Sequence, residues 1–315
     1  MTRGGAGRLL LLVVAWLGAA PAAADSMGVV ERSRLEIKPS GRGFTQLAID
    51  NPLGDVRIEG YEGTALQIET RKHAPDQDAL DRLRVSLVPN PDGTVRITTT
   101  ADAGVESRAV ARGAVRIDLI VRAPRGARIE ATASAGTLEM SNMDAGGELD
   151  TGSGRILVRN VSGELSTHTV SGLTSLSQVF GSIDAQSLSS DLDLDSVAGA
   201  KLVASVNDGK IAGRRVRSRS VELTTVNGTI VLEGEVGLHG RIVVASLRGD
   251  LDVRLRRTGA VLVRARAAKV NLGAAPALRQ VGGWIESHLG TLASVQPALV
   301  EMRSRLGTVT FAIVE

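Results

Sequence analysis

Cysteine is absent from the sequence. That excludes disulfides, thiol nucleophiles, iron–sulfur clusters and thiolate zinc sites. It also excludes a lipidated N-terminal cysteine. Aromatic residues make up only 2% of the chain. An ordinary globular core of this length uses more, as does a surface that stacks sugars or bases. Strong charge of either sign is missing too. The formal net charge is +3 and includes Arg3 and Arg8, so the remainder is close to neutral and gives no reason to expect a nucleic-acid partner. Catalytic and cofactor signatures are equally scarce. The four histidines, His73, His168, His239 and His288, stand in no His-x-x-x-His or His-Glu-x-x-His spacing. There is no Gly-x-Ser-x-Gly elbow and no phosphate loop. Gly152-Ser153-Gly154 reads as a corner.

Glycine is what the sequence has, 36 residues of it, and much of it is periodic. Between residues 147 and 232 short runs open on a glycine or another small residue: Gly154-Arg155-Ile156, Gly163-Glu164-Leu165, Gly181-Ser182-Ile183, Gly209-Lys210-Ile211, Gly228-Thr229-Ile230. The second residue after each opener is aliphatic and its neighbours are mostly polar, the alternation of a strand with one buried face. The openers recur roughly every nine or ten residues, so two strands make a period near nineteen, and a fixed period of that size indicates a repeat architecture. The phase begins by Gly136 and continues to Gly307. Thr174, Lys201 and Glu222 break it, and near Lys201 and Glu222 a one-residue slip to Leu202 and Leu223 restores it, as local bulges would.

The expected fold is therefore all-β: a single-stranded parallel β-solenoid, or β-helix, of roughly 18–20 residues per coil. Each strand pairs with the equivalent strand one coil on. Two inward columns follow, Leu165, Ile183, Leu202, Leu223, Ile242 and Val261 on one wall and Ile156, Leu192, Ile211, Ile230 and Leu251 on another. Some nine coils would make a rod of roughly 45 Å. The competing reading is an antiparallel sandwich, for which Asn227-Gly228 and Asp208-Gly209 would serve as hairpin turns.

In chain order, residues 1–24 read as a secretory leader: Arg3 and Arg8, an apolar run from Leu9 to Leu17, and Ala22-Ala23-Ala24 before Asp25. The location expected is periplasmic or extracellular. No later segment is long and apolar enough to span a membrane. Residues 25–124 are β-rich but irregular, a cap or first stage of the repeat. Strands are expected at 29–37, 44–49, 55–58, 66–70, 84–88, 94–100 and 115–121, with one short helix from Asp76 to Leu83 capped by Asp76 and a surface loop from Ala101 to Gly113. Residues 125–315 form the repeat domain. Its final strand, Val309 to Val314, carries no evident cap and is a candidate edge for self-association.

Three stretches together resemble a known family. They are Leu47-Ala-Ile-Asp-Asn-Pro-Leu-Gly-Asp-Val-Arg-Ile-Glu-Gly60, the strand and turn from Val115 to Ala127 with Pro124-Arg125-Gly126, and the train of Ser-Gly-x-Ile and Asn-Gly-x-Ile units. They are similar to the bacterial family of unknown function labelled "putative adhesin", an exported β-solenoid group, over nearly all of the chain after the leader. The resemblance implies a fold and an envelope role. It brings no catalytic residues.

Candidate sites remain few. Asp191, Asp193 and Asp195 share one strand face, about 6.6 Å apart in steps of two, too far for joint ligation of a hard cation unless a neighbour such as Asp184 assists. Asp150, Glu164, Asp184 and Asp252 are single outward acids with no paired arrangement for glycoside cleavage. The expectation is no enzyme, no cofactor and no metal. The strongest surface feature is basic: Arg214, Arg215, Arg217 and Arg219, followed by Arg254 and Arg256, could align into a ridge for an acidic polymer such as an acidic polysaccharide. Partners expected are that polymer or another envelope protein. The alternatives are a self-assembling structural solenoid and an envelope polysaccharide lyase or hydrolase.

Overall fold

The computed structural model describes residues 13–14, 28–39, 43–102, 113–273, 275–290 and 296–314. Of the segment read as a leader, only Val13–Val14 is described, as a two-residue strand beside Leu35 and Arg34; the rest lies outside the described residues, as does most of the expected loop from Ala101 to Gly113. The chain is all-β, and its strands form one mixed sheet. The only helix among the described residues is the single turn Gln77–Leu80, where Asp76 accepts a hydrogen bond from the Ala79 amide at 2.7 Å. It is shorter than expected because Leu83 already begins a strand.

Two walls of parallel strands dominate. Along the first, the hydrogen-bonded order is Arg116–Pro124, Val56–Tyr61, Leu138–Met143, then 156–161, 174–180, 192–198 and 211–216, then Ile230–Val236, Leu251–Arg257, Thr308–Ile313 and Lys269–Asn271. The second runs Thr94–Ala101, Gln46–Asn51, Arg128–Ala133, Gly146–Ser153, then 163–171, 181–189, 199–208 and 218–227, then Arg241–Ser246, Ala298–Ser304 and Val261–Arg266. Through the middle, register partners are eighteen residues apart, as in Ile156 with Thr174, and then nineteen, as in Ile211 with Ile230. Inward aliphatics of both walls form one buried cluster. Val, Ile, Leu and Ala fill it almost alone, because a core only two strands thick has no room that needs an aromatic ring.

One inward column is Ile156, Thr174, Leu192, Ile211, Ile230, Leu251 and Val309, as the alternation indicates. The break at Thr174 is real: its hydroxyl is buried and has no hydrogen-bond partner. The other column needs correction. It runs Leu165, Ile183, Leu202, Val221, Ile242, Val300 and Val263, so Leu223 and Val261 each belong to a different row. The bulge expected near Lys201 is present, as a register shift between Phe180 and Ser182 against Ala198 and Lys201. None is needed at Glu222, which pairs in unbroken register with Val203 on one side and Val243 on the other.

Corners are built by two devices. Gly136, Gly154, Gly172, Gly209, Gly228, Gly249 and Gly307 stack so closely that a Cβ on Gly228 would lie 1.8 Å from the carbonyl oxygen of Gly209, and one on Gly249 1.7 Å from that of Gly228. Ser190 takes the place between Gly172 and Gly209 and is the one position of the run with a side chain. At the opposite bend, Asn142, Asn160, Gln178, Ser196 and Arg215 adopt left-handed backbone, with φ between 53° and 59°. Asn160 donates from Nδ2 to Asn142 Oδ1 at 2.8 Å and Arg215 from Nε to Ser196 Oγ at 2.8 Å, so hydrogen bonds along the stack help hold a conformation that L-residues ordinarily avoid.

Both ends depart from simple stacking. Val56–Tyr61 and Gln46–Asn51 lie inside the stack, while Arg116–Pro124 and Thr94–Ala101, later in the chain, lie outside them. Antiparallel strands Leu66–Ala74 and Leu83–Pro89 then cover that end. Asn51, fully buried, latches it. Its Nδ2 donates to the Ile117 carbonyl at 2.9 Å, and its Oδ1 accepts from the Thr99 hydroxyl at 2.5 Å and from the Leu53 amide at 3.3 Å. At the other end Thr308–Ile313 pairs with Leu251–Arg257 on one side and Lys269–Asn271 on the other. Lys269–Asn271 meets only Thr308–Thr310, so the outer edge of the final strand is paired over half its length. The covering there is the antiparallel strand Trp284–Leu289, with Arg264 bonded to Glu301 and its guanidinium 5.1 Å from the Trp284 ring centre.

Candidate functional site

The outer face of the second wall carries a groove of about 500 Å³. Its floor is a ladder of polar side chains, one per rung, since strict two-residue alternation brings the same outward position to every strand. Thr132, Asp150, His168, Gln186, Ser205 and Thr224 are successive register partners along it. Two residues further along each strand lies a rim with exposed aliphatics: Val170 is 54% exposed, Leu188 50% and Val226 36%, with Asn207 at the intervening rung.

At one end of the groove charges gather. Glu130 and Glu148 are register partners, and Asp150 and His168 are register partners two residues on. Carboxylate oxygens of Glu148 and Asp150 and a ring nitrogen of His168 all lie within 4.8 Å of one another. His168 Nε2 and Ser166 Oγ are 3.1 Å apart, and Glu130 accepts from the Gln46 amide at 2.9 Å. Burial raises the Asp150 carboxyl above the usual range; the His168 charge opposes that, and the charges of Glu148 and Glu130 add to it.

The arginines lie on the first wall, at its bend and, for Arg219, at the start of the second-wall strand 218–227. Arg214, Arg215, Arg217, Arg219, Arg254 and Arg256 are all exposed, but carboxylates alternate with them from rung to rung. Glu233 stands between Gly213-Arg214 and Arg254, and Glu235 pairs in register with Arg256. Arg215 is ion-paired with Asp195, Arg217 with Glu235 at 3.6 Å, and Arg254 with both Glu233 and Asp252. Among the described residues Arg214, Arg219 and Arg256 make no ion pair. Two of the three aspartates of 191–195 have local roles. Asp191 accepts from the Lys210 amide at 2.8 Å and Asp195 holds Arg215, while Asp184 lies on the other wall and cannot join them. Asp150 and Glu164 are likewise on the second wall and Asp252 on the first.

Sequence reasoning treated His168 and Asp150 as separate surface residues. The signal that joins them was available: they are eighteen residues apart, one period, and both point outward.

An all-β protein of stacked strands with a polar groove along one wall is the class that this geometry defines. No family model matches the chain, and no curated protein matches it. Solved structures similar to it include a "putative adhesin" from Bacteroides fragilis, 12% identical, with 90% of this chain and 97% of that one covered and a TM-score of 0.41. A "putative cell adhesion protein" from Clostridium sporogenes is 11% identical, with 91% and 100% covered and a TM-score of 0.24. A "putative lipid binding protein" from Parabacteroides distasonis is 10% identical, with 91% and 98% covered and a TM-score of 0.39. The motif resemblance read from the sequence points to the same group of names.

Proposed function

We propose that this chain is an exported, non-enzymatic β-solenoid that serves as an adhesion-type module of the bacterial envelope, gripping an extended polymer along the second-wall groove. A leader removed before Asp25, an N-terminal cap reaching residue 124 and a repeat body over 125–315 make up the chain in this reading. The observation that carries it is the groove. Six successive rungs offer one hydroxyl, amide, imidazole or carboxylate each beside an aliphatic rim, a surface that repeats about every 4.8 Å and so suits a ligand that also repeats. The parallel pairing one period apart supports the solenoid. Among the described residues no helix is long and apolar enough to cross a membrane. An acidic polymer on the arginines is the weaker version, because the alternating carboxylates dilute the field that would attract it.

The test is binding of the purified chain to a panel of envelope polysaccharides and to whole envelopes, comparing wild type with a Val170→Asp/Leu188→Asp variant and with an Arg254→Ala variant. Loss confined to the rim variant supports the groove. Loss confined to Arg254→Ala favours the polyanion reading, and depolymerisation of any polysaccharide overturns the non-enzymatic one. N-terminal sequencing of exported material beginning at Asp25 tests the leader.

A further inference from the structure

We propose that Glu148, Asp150 and His168 form a binding site for a divalent transition-metal ion of the zinc type. The three side chains come from two adjacent rungs held in fixed parallel register: Glu148 and Asp150 on the same face of one strand, His168 directly beside Asp150 on the next. The donor set decides the class. An imidazole with two carboxylates suits zinc, cobalt or nickel, whereas calcium and magnesium take oxygen ligands almost alone. Zinc bonds of about 2.0–2.1 Å in a tetrahedron place ligand atoms roughly 3.3 Å apart. The donors now lie within 4.8 Å of one another, so side-chain rotation without backbone movement closes the shell, and Glu148 is exposed and free to rotate.

A second observation is the charge balance. Outward acids such as Glu69, Glu139, Asp144, Asp195, Glu233 and Glu301 each have an arginine, and among the described residues Asp184 and Glu222 on this wall stand singly without one. Glu130, Glu148 and Asp150 stand together, and among the described residues none has a lysine or arginine partner. Glu130 is met only by the neutral Gln46 amide. A doubly charged ion offsets this local excess where a His168 nitrogen and the two carboxylates converge. Ser166, bonded to the imidazole, restrains its rotation, the usual office of a second group behind a metal-binding histidine. Three protein donors leave a coordination position open towards the groove, where water or a ligand oxygen would complete the shell. The ion would also tie two consecutive rungs together.

The experiment uses the untagged chain, stripped with EDTA and dialysed, titrated with cobalt(II) by visible absorption and then with zinc as competitor. The expected result is one cobalt per chain, displaced by zinc. Affinity should fall at least about tenfold in His168→Ala and in Asp150→Asn, with Glu222→Gln unchanged. Zinc should raise the melting temperature of wild type and not of His168→Ala. His168→Gln supplies a second variant of similar volume, and circular dichroism verifies that each variant is folded. The proposal is overturned if cobalt binds wild type no more tightly than folded His168→Ala or His168→Gln, if zinc leaves the wild-type melting temperature where EDTA leaves it, or if calcium occupies the site as well as zinc and is indifferent to His168.

Discussion

Replacing Gly228 by alanine isolates the steric demand of the glycine stack. The added Cβ would sit 1.8 Å from the Gly209 carbonyl oxygen and 3.2 Å from Thr225 Oγ1. Ordinary contact begins near 3.4 Å, so the two rungs must separate by about 1.5 Å at that corner. The hydrogen bond from the Gly209 amide to the Asn227 carbonyl, 3.1 Å long, lies in the affected turn. Overpacking of this kind costs about 1–3 kcal/mol, and a strained ladder bond adds about 1 kcal/mol. The stiffer unfolded chain returns roughly 0.4–1 kcal/mol. The net expectation is a loss of about 2–3 kcal/mol, read as a lower urea midpoint at unchanged slope, with a melting temperature lower by roughly 4–12 °C. Gly126→Ala is the control, because a Cβ there meets nothing within 4 Å; it should be neutral or stabilise by up to about 1 kcal/mol. Equal midpoints for the two variants would refute the stack as a steric constraint.

Other outcomes follow from the same geometry. Ile183→Asp and Ile230→Asp put a charge among fully buried aliphatics and should each cost several kcal/mol by denaturant unfolding, about 3 or more, while the outward Asp184→Ala and Thr229→Ala should stay within about half a kcal/mol; similar losses in all four would mean the register is wrong. Asn51→Ala strands the Ile117 carbonyl, the Thr99 hydroxyl and the Leu53 amide and should cost about 2–4 kcal/mol, with amide exchange accelerating first in Thr94–Ala101 and Arg116–Pro124. Glu69 is held below the usual carboxylate range, chiefly by its hydrogen bond to Arg71 and further by Arg34, against an opposing push from burial. Its folded value lies below its unfolded one, so its contribution is present above the ordinary glutamate pKa and disappears as pH falls through the folded value. The stability difference between wild type and Glu69→Gln should therefore shrink steadily on acidification, and a difference that grows would reverse the assignment.

How much of this was legible beforehand depends on how local the cause is. Alternation is a property of neighbouring residues, so the strand positions, the eighteen-residue period and the column through Ile156, Leu192, Ile211 and Ile230 could be read directly. Asp76 was legible as a cap because its bond reaches only three residues. The second column slipped at Leu223 because Val221, Leu223 and Thr225 all alternate inward, and only the hydrogen-bonded register decides which of them faces Leu202. The left-handed corner at Asn142, Asn160, Gln178, Ser196 and Arg215 was hidden by its variety of side chains, although the two asparagines one period apart were a hint. The grouping of Glu148, Asp150 and His168 required applying the period to outward residues, where no hydrophobic signal marks the register. The interleaving of Arg254 with Glu233 and of Arg217 with Glu235 is a cross-strand fact of the same kind. The order of strands at the two ends follows from no local pattern at all.

That end order has a bearing on biosynthesis. Ala298–Ser304 and Thr308–Ile313 fill a layer between Arg241–Arg257 and the earlier segment 261–271. A nascent chain released only through residue 290 would hold a roof with no storey beneath it, its apolar underside at Val263 and Ala265 facing a missing neighbour. Maturation of this region must wait for residues 298–313, and trimming the protein one repeat at a time from that side would remove a middle floor before the top one.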